Sequence, residues 1–97
     1  MYAAIRRYKV KPGSANVITQ SAQEGFVPLV SSLPGFVAYY GVFGENDTVV
    51  TVSVFADQAG EEESTRQAGS WVKQNLAQYV EGPPEIVAGR VAWHGQK

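Results

Sequence analysis

The chain has 97 residues, of which 44% are apolar and 18% charged, with 8 Lys and Arg against 9 Asp and Glu. That describes one globular domain over residues 1–97. It excludes a disordered chain and lacks the basic footprint of a nucleic-acid binder. Cysteine is absent and His94 is the single histidine, so disulfides, thiolate metal sites, a cysteine nucleophile and a multi-histidine metal centre are excluded too. The longest nearly apolar run, Thr48 to Ala56, is far short of the ~20 residues that span a bilayer. The N-terminus, MYAAIRRYK, is charged from Arg6 and has no apolar signal core, so a cytoplasmic chain with no membrane contact is expected.

Tyr2 to Lys11 reads as a strand, with Tyr2, Ala4, Arg6, Tyr8 and Val10 on one parity and Ile5, Arg7, Lys9 and Lys11 on the other. Gly13-Ser14 opens a helix whose stripe is Ile18, Ala22, Phe26, Leu29 and Leu33. Pro28 lies inside that stripe and predicts a kink, or a new turn, near Phe26. Leu33-Pro34-Gly35-Phe36 ends the helix and leads into a strand, Phe36 to Phe43. Gly44-Glu45-Asn46-Asp47 has hairpin chemistry, and Thr48 to Ala56 is the strongest strand of the chain. Asp57 to Val80 is a second helical region with Ala68, Val72, Leu76 and Tyr79 on its core stripe. Glu61, Glu62 and Glu63 read as a solvated start favoured by the helix dipole. Glu81-Gly82-Pro83-Pro84 stops it, and Glu85 to His94 reads as the last strand.

The order β-α-β-β-α-β predicts an α+β, ferredoxin-like domain: a four-stranded antiparallel sheet with two helices on one face. The two central runs are apolar or small on both parities, so both sheet faces need cover. The helices can cover one. A second copy of the chain, packed sheet to sheet as a homodimer, is expected on the other.

Several segments resemble the dimeric α+β barrel superfamily, near its antibiotic-biosynthesis-monooxygenase (ABM) branch. They are Lys11-Pro12-Gly13, Leu33-Pro34-Gly35-Phe36, and Val54-Phe55-Ala56 running into an acidic helix with Ser64, Ala68 and Trp71. The resemblance covers nearly the whole chain and implies two sheets packed into a barrel across a twofold axis. It also implies a Glu-x-Trp at the end of the third strand and a histidine nine residues after the Trp. Those places here read Ser53-Val54-Phe55 and Ser64. Haem-degrading relatives need an axial histidine on the second helix, which is missing, so no haem and no other cofactor is expected.

Eight residues are weighed for a site. His94 titrates near neutrality and could act as a general base, or it is an idle strand-end residue. Arg90, in an otherwise apolar run, could stabilise a phenolate or enolate oxygen, or form an ion pair at the dimer interface. Arg6 and Arg7 fall on opposite faces of the first strand and admit the same two readings. Trp71 and Asn75, one helical turn apart, could flank a planar ligand, or pack on the sheet and face water respectively. Tyr39 and Tyr40 must point to opposite faces, one towards the helices and one towards the partner. Three functions stay open: a cofactor-independent oxygenase of a small aromatic or quinol-type molecule, a barrel that binds a small hydrophobic ligand without turnover, and an assembly module.

Overall fold

The computed structural model describes all residues, Met1 to Lys97. Strand β1 (Tyr2–Lys9) is followed by α1 (Ala15–Ser21), a π-helical segment (Ala22–Phe26) and α2 (Val27–Ser31), which together form one helical run. Then come β2 (Phe36–Phe43), β3 (Thr48–Phe55), α3 (Gln58–Asn75) and β4 (Glu85–Arg90). The strands form one antiparallel sheet in the order β2-β3-β1-β4, the ferredoxin-like arrangement. No helix is long and apolar enough to cross a membrane.

Sequence chemistry places the joints. Pro28 stands in the first turn of α2, and the π-helical segment lies directly before that helix, so the change of helical geometry falls where the proline removes an N–H from the ladder. Asn46 and Asp47 both take a φ of 55°, the left-handed conformation of the β2–β3 hairpin. Asp57 caps α3 by accepting a bond from the Gly60 N–H at 2.8 Å. Gly60 is obligatory there, because a Cβ would sit 2.8 Å from Phe55 and 3.0 Å from the Pro34 carbonyl oxygen.

Register assigns the two faces. Tyr39, Ser53, Ala4 and Ala88 form one cross-strand row and Gly41, Thr51, Arg6 and Ile86 the next, both on the helix side. Between them, facing away from the helices, lies the row Tyr40, Val52, Ile5 and Val87. The core on the helix side divides into two apolar clusters. One holds Tyr8, Val10, Ile18, Val49 and Leu76; the other holds Phe26, Val30, Phe55 and Ala68.

Four expectations need correction. The first strand stops at Lys9, and Val10 forms an isolated bridge with Val80 instead. Helix α3 ends at Asn75 rather than Val80, so Tyr79 lies in the turns that follow. Strand β4 ends at Arg90 rather than His94. Its only neighbour, β1, begins at Tyr2 opposite Arg90, and after the bond from Val91 N–H to the Met1 carbonyl no partner backbone is left. Arg90 is therefore an exposed residue at the end of an edge strand, not a buried mid-strand charge. Glu61 departs in the other direction: it is buried, its carboxylate accepting from Thr65 Oγ1 at 3.1 Å.

Candidate functional site

Arg6 is the charged centre of the helix side. Strand parity turns it under the helices, and it is 1% exposed. Its terminal nitrogens donate to four hydroxyls. Nη1 reaches Ser53 Oγ at 3.1 Å and Thr51 Oγ1 at 3.4 Å; Nη2 reaches Ser64 Oγ and Thr65 Oγ1, both at 3.3 Å. No carboxylate contacts the guanidinium. The ion pairs of the chain are Arg7–Glu85 and Arg66–Glu63, both at the surface. The nearest acid, Glu61, is one hydroxyl removed, through Thr65. Arg6 Nε is buried and has no hydrogen-bond partner. Burial lowers the Arg6 pKa, partly offset by Tyr8, Tyr39 and Glu61.

Beside Arg6 is a cavity of about 210 Å³ between sheet and helices, lined by residues of both core clusters. Its walls are mainly apolar. Gly41 on β2 keeps one wall low: a Cβ there would meet nothing within 4 Å. Three rings pack along another. Phe26 lies 5.2 Å from Tyr39, edge to face, and 5.5 Å from Trp71. Trp71 comes this close because Gly25, in the π-helical segment, has no side chain; a Cβ would stand 2.9 Å from the indole. The two phenols of the cavity stay protonated well above neutrality. Burial pushes Tyr39 up to about 12, against smaller opposing effects of Arg6 and Thr51. Burial also raises Tyr8, with Arg6 opposing it.

The residues singled out from sequence are not all together. Tyr39 and Trp71 line the cavity. Tyr40 is on the opposite face of the sheet, 60% exposed, so the two tyrosines do part as strand parity requires. Asn75 is exposed at the end of α3, its Nδ2 donating to the Trp71 carbonyl at 2.9 Å. Arg90 is outside the cavity, and His94 lies in the exposed stretch after β4. In this chain the base and the anion-stabilising donor read from the last strand do not meet the rings.

Arg6, weighed from sequence, forms a polar centre with Thr51, Ser53, Ser64 and Thr65, four hydroxyl residues that the candidate set lacks. The signal was present: continuing the stripe of Ala68 and Val72 backwards along α3 reaches Ser64 and then Glu61. Ser53 and Ser64 are the two places where the ABM pattern carries Glu and His. Both hydroxyls accept from Arg6.

No protein-family model matches the sequence, and no curated protein sequence does. Solved structures match closely in shape. A Nitrosomonas europaea protein of unknown function, NE2512, superposes with a TM-score of 0.82 at 22% identity, over 99% of this chain and 93% of that one. The ActVA-Orf6 monooxygenase of Streptomyces coelicolor, in complex with nanaomycin D, gives 0.75 at 16% identity over 98% and 92%. An antibiotic biosynthesis monooxygenase gives 0.73 at 17% identity over 95% and 99%. The strand order, the helical layer and these superpositions together establish that the chain has the ABM-like α+β fold.

Proposed function

We propose that the chain binds a small planar aromatic molecule in the cavity between the helices and the sheet. The observation that carries this is the pairing of an apolar, ring-lined space with one buried guanidinium that has no carboxylate. An apolar cavity of about 150 Å³ takes benzene, so this one suits a substituted ring. The wall of Tyr39, Phe26 and Trp71 offers stacking and edge contacts, and Arg6 and the phenols offer orientation. A native mass spectrum of freshly purified protein, followed by solvent extraction, should reveal a bound aromatic. Suppose none co-purifies, and no hydroxynaphthalene in a titration series changes the Trp71 fluorescence. The binding reading is then wrong.

The second reading is oxygenation of that molecule, favoured by the monooxygenases that share the fold. An ionised, electron-rich ring can itself reduce O2. A ring CH2 becomes C=O, and the other oxygen atom leaves as water with both hydrogens, so the balance needs no external reductant. The protein would supply a dry cavity and a donor for the developing anion. With His94 outside the cavity, and with both phenols holding their protons, the cavity suits a substrate acidic enough to arrive ionised.

The open face of the sheet is proposed to meet a second copy of the chain, sheet to sheet. The exposed Ile5, Tyr40, Val42 and Val87 give that face a continuous apolar surface that a homodimer would cover.

A further inference from the structure

The cavity is open on one side. Four of its lining residues are exposed: Thr19 and Gln23 from the helical run, and Gly41 and Phe43 from β2. Those it takes from β1, β3 and α3 are all buried or half-buried. β2 is an edge strand, and Gly41 and Phe43 share the helix-side parity of Tyr39. Phe43 is nevertheless 42% exposed, so the helical layer leaves this end of the strand uncovered. The entrance therefore runs along the β2 edge, and Gly41 stands in it. Its φ is not positive and a Cβ would meet nothing within 4 Å, so neither backbone nor packing calls for glycine there. A mid-strand glycine weakens the strand, and it suits a place where another molecule comes close.

The facing lip is polar and uncharged. Thr19 and Gln23 are one helical turn apart on one side of the run. The next pair along is satisfied internally, Gln20 Nε2 donating to Glu24 Oε1 at 3.3 Å. The Thr19 hydroxyl and the Gln23 carboxamide instead keep their donors and acceptors for a visitor. No Lys, Asp or Glu lines the cavity, and its one arginine, Arg6, is buried away from the lip. We propose that the aromatic ligand enters at the β2 edge, that Gly41 sets the widest ring admitted, and that the ligand's outward end is an uncharged group with both donor and acceptor, a hydroxyl or primary carboxamide, held by Thr19 and Gln23. This rests on the cavity-binding reading above and adds the way in and the chemistry of the outer end.

The test measures binding of 2-naphthamide, 2-naphthoate, 2-methylnaphthalene and the single-ring benzamide by equilibrium dialysis at neutral pH. The unmodified protein should hold the naphthamide at least ~10-fold more tightly than the naphthoate, whose charge the lip does not match. Gln23→Leu should weaken the naphthamide by ~5-fold or more and leave 2-methylnaphthalene within ~2-fold. Gly41→Val should weaken the naphthamide by ~10-fold or more while benzamide stays within ~3-fold. Gly89→Val, the same change on β4 outside the cavity, should alter neither. If Gly41→Val does not fold by circular dichroism, Gly41→Ala takes its place, with a smaller loss in the same direction. Equal naphthamide affinity in the Gly41 and Gly89 variants overturns the entrance and leaves aromatic binding standing. An unchanged naphthamide affinity in Gln23→Leu, or tighter binding of the naphthoate, overturns the outer-end assignment. Failure of all four probes to bind the unmodified protein removes the cavity-binding reading, and this inference with it.

Discussion

Arg6 Nη2 and Ser64 Oγ meet at 3.3 Å, joining β1 to α3 across 58 residues of chain, while Ser64 Oγ donates to the Glu61 carbonyl at 2.7 Å. A serine hydroxyl satisfies a guanidinium far less than a carboxylate does, and buried charges are retained at a desolvation cost of several kcal/mol. Arg6 is thus a poor choice for stability alone. Arg6→Met, which keeps most of the volume without the charge, should leave urea stability unchanged or raise it by up to ~2 kcal/mol. Arg6→Ala should lower it by ~2–4 kcal/mol through the void it opens. A large loss in the Met variant would mean that the hydroxyl ring depends on the cation for its own order.

Gly25 packs closely on Trp71, a residue of the cavity wall. Gly25→Ala places a methyl 2.9 Å from Cζ2 of the indole, so the ring or the helical run must shift. The expected cost is ~1–3 kcal/mol, the usual range for overpacking. Aromatic ligand affinity should fall with it. Trp71 emission, recorded in a Trp93→Phe background, reports whether the indole has moved.

Tyr39 makes stability alkali-sensitive. Its folded pKa is about 12 and its unfolded value is about 10, so the unfolded chain releases the proton first. The contribution is complete below pH ~10 and is lost as pH rises from there towards 12, by about 2–3 kcal/mol in all. Urea melts at pH ~9 and ~11.5 should therefore diverge more for the unmodified protein than for Tyr39→Phe, with Tyr8 shifting in the same direction.

Val52 is opposite both Tyr40 and Ile5 in the outward row of the sheet. Val52→Lys puts a charge in the middle of the proposed dimer contact and changes nothing under the helices. Sedimentation should give twice the 10.5 kDa chain mass for the unmodified protein and the single mass for the variant, with unchanged far-UV circular dichroism. A monomer in both cases would dispose of the sheet-to-sheet homodimer.

What the sequence made legible was what depends on local period. The parity of β1 placed Arg6 and Tyr8 on one face, and Pro28 marked the break near Phe26. Asn46-Asp47 and Pro34-Gly35 marked the turns around β2 and β3. What it concealed depends on register between distant segments. Arg90 reads as buried because EIVAGRVAWH is apolar around it, but that strand is at the sheet edge and outlasts its partner. Glu61 reads as solvated because three glutamates begin a helix, yet the helix turns one of them inwards beside Thr65. The four hydroxyls around Arg6 come from two consecutive elements, β3 and α3, that lie far from Arg6 in sequence, and no short motif announces the contact.

Ile18, Ala22, Phe26 and Val30 are spaced strictly by four residues. On an ideal α-helix that spacing drifts by roughly 40° per step, since each residue turns about 100°. Three steps would carry Val30 about 120° away from the side Ile18 faces. Yet Ile18, Phe26 and Val30 are all buried on the sheet side. The widened turn at Ala22–Phe26, where Val27 N–H reaches back to the Ala22 carbonyl, takes up the difference. It works as a phase corrector between the two halves of the helical layer. Ala22 and Gln23, at the step between the halves, both line the cavity. The size of the opening is thus governed by how many residues the helix holds as well as by which ones they are. Deleting one residue there would give spacings of four, three and four, which an ordinary helix keeps on one face, so both halves would still meet the sheet while the widened turn beside the cavity is lost.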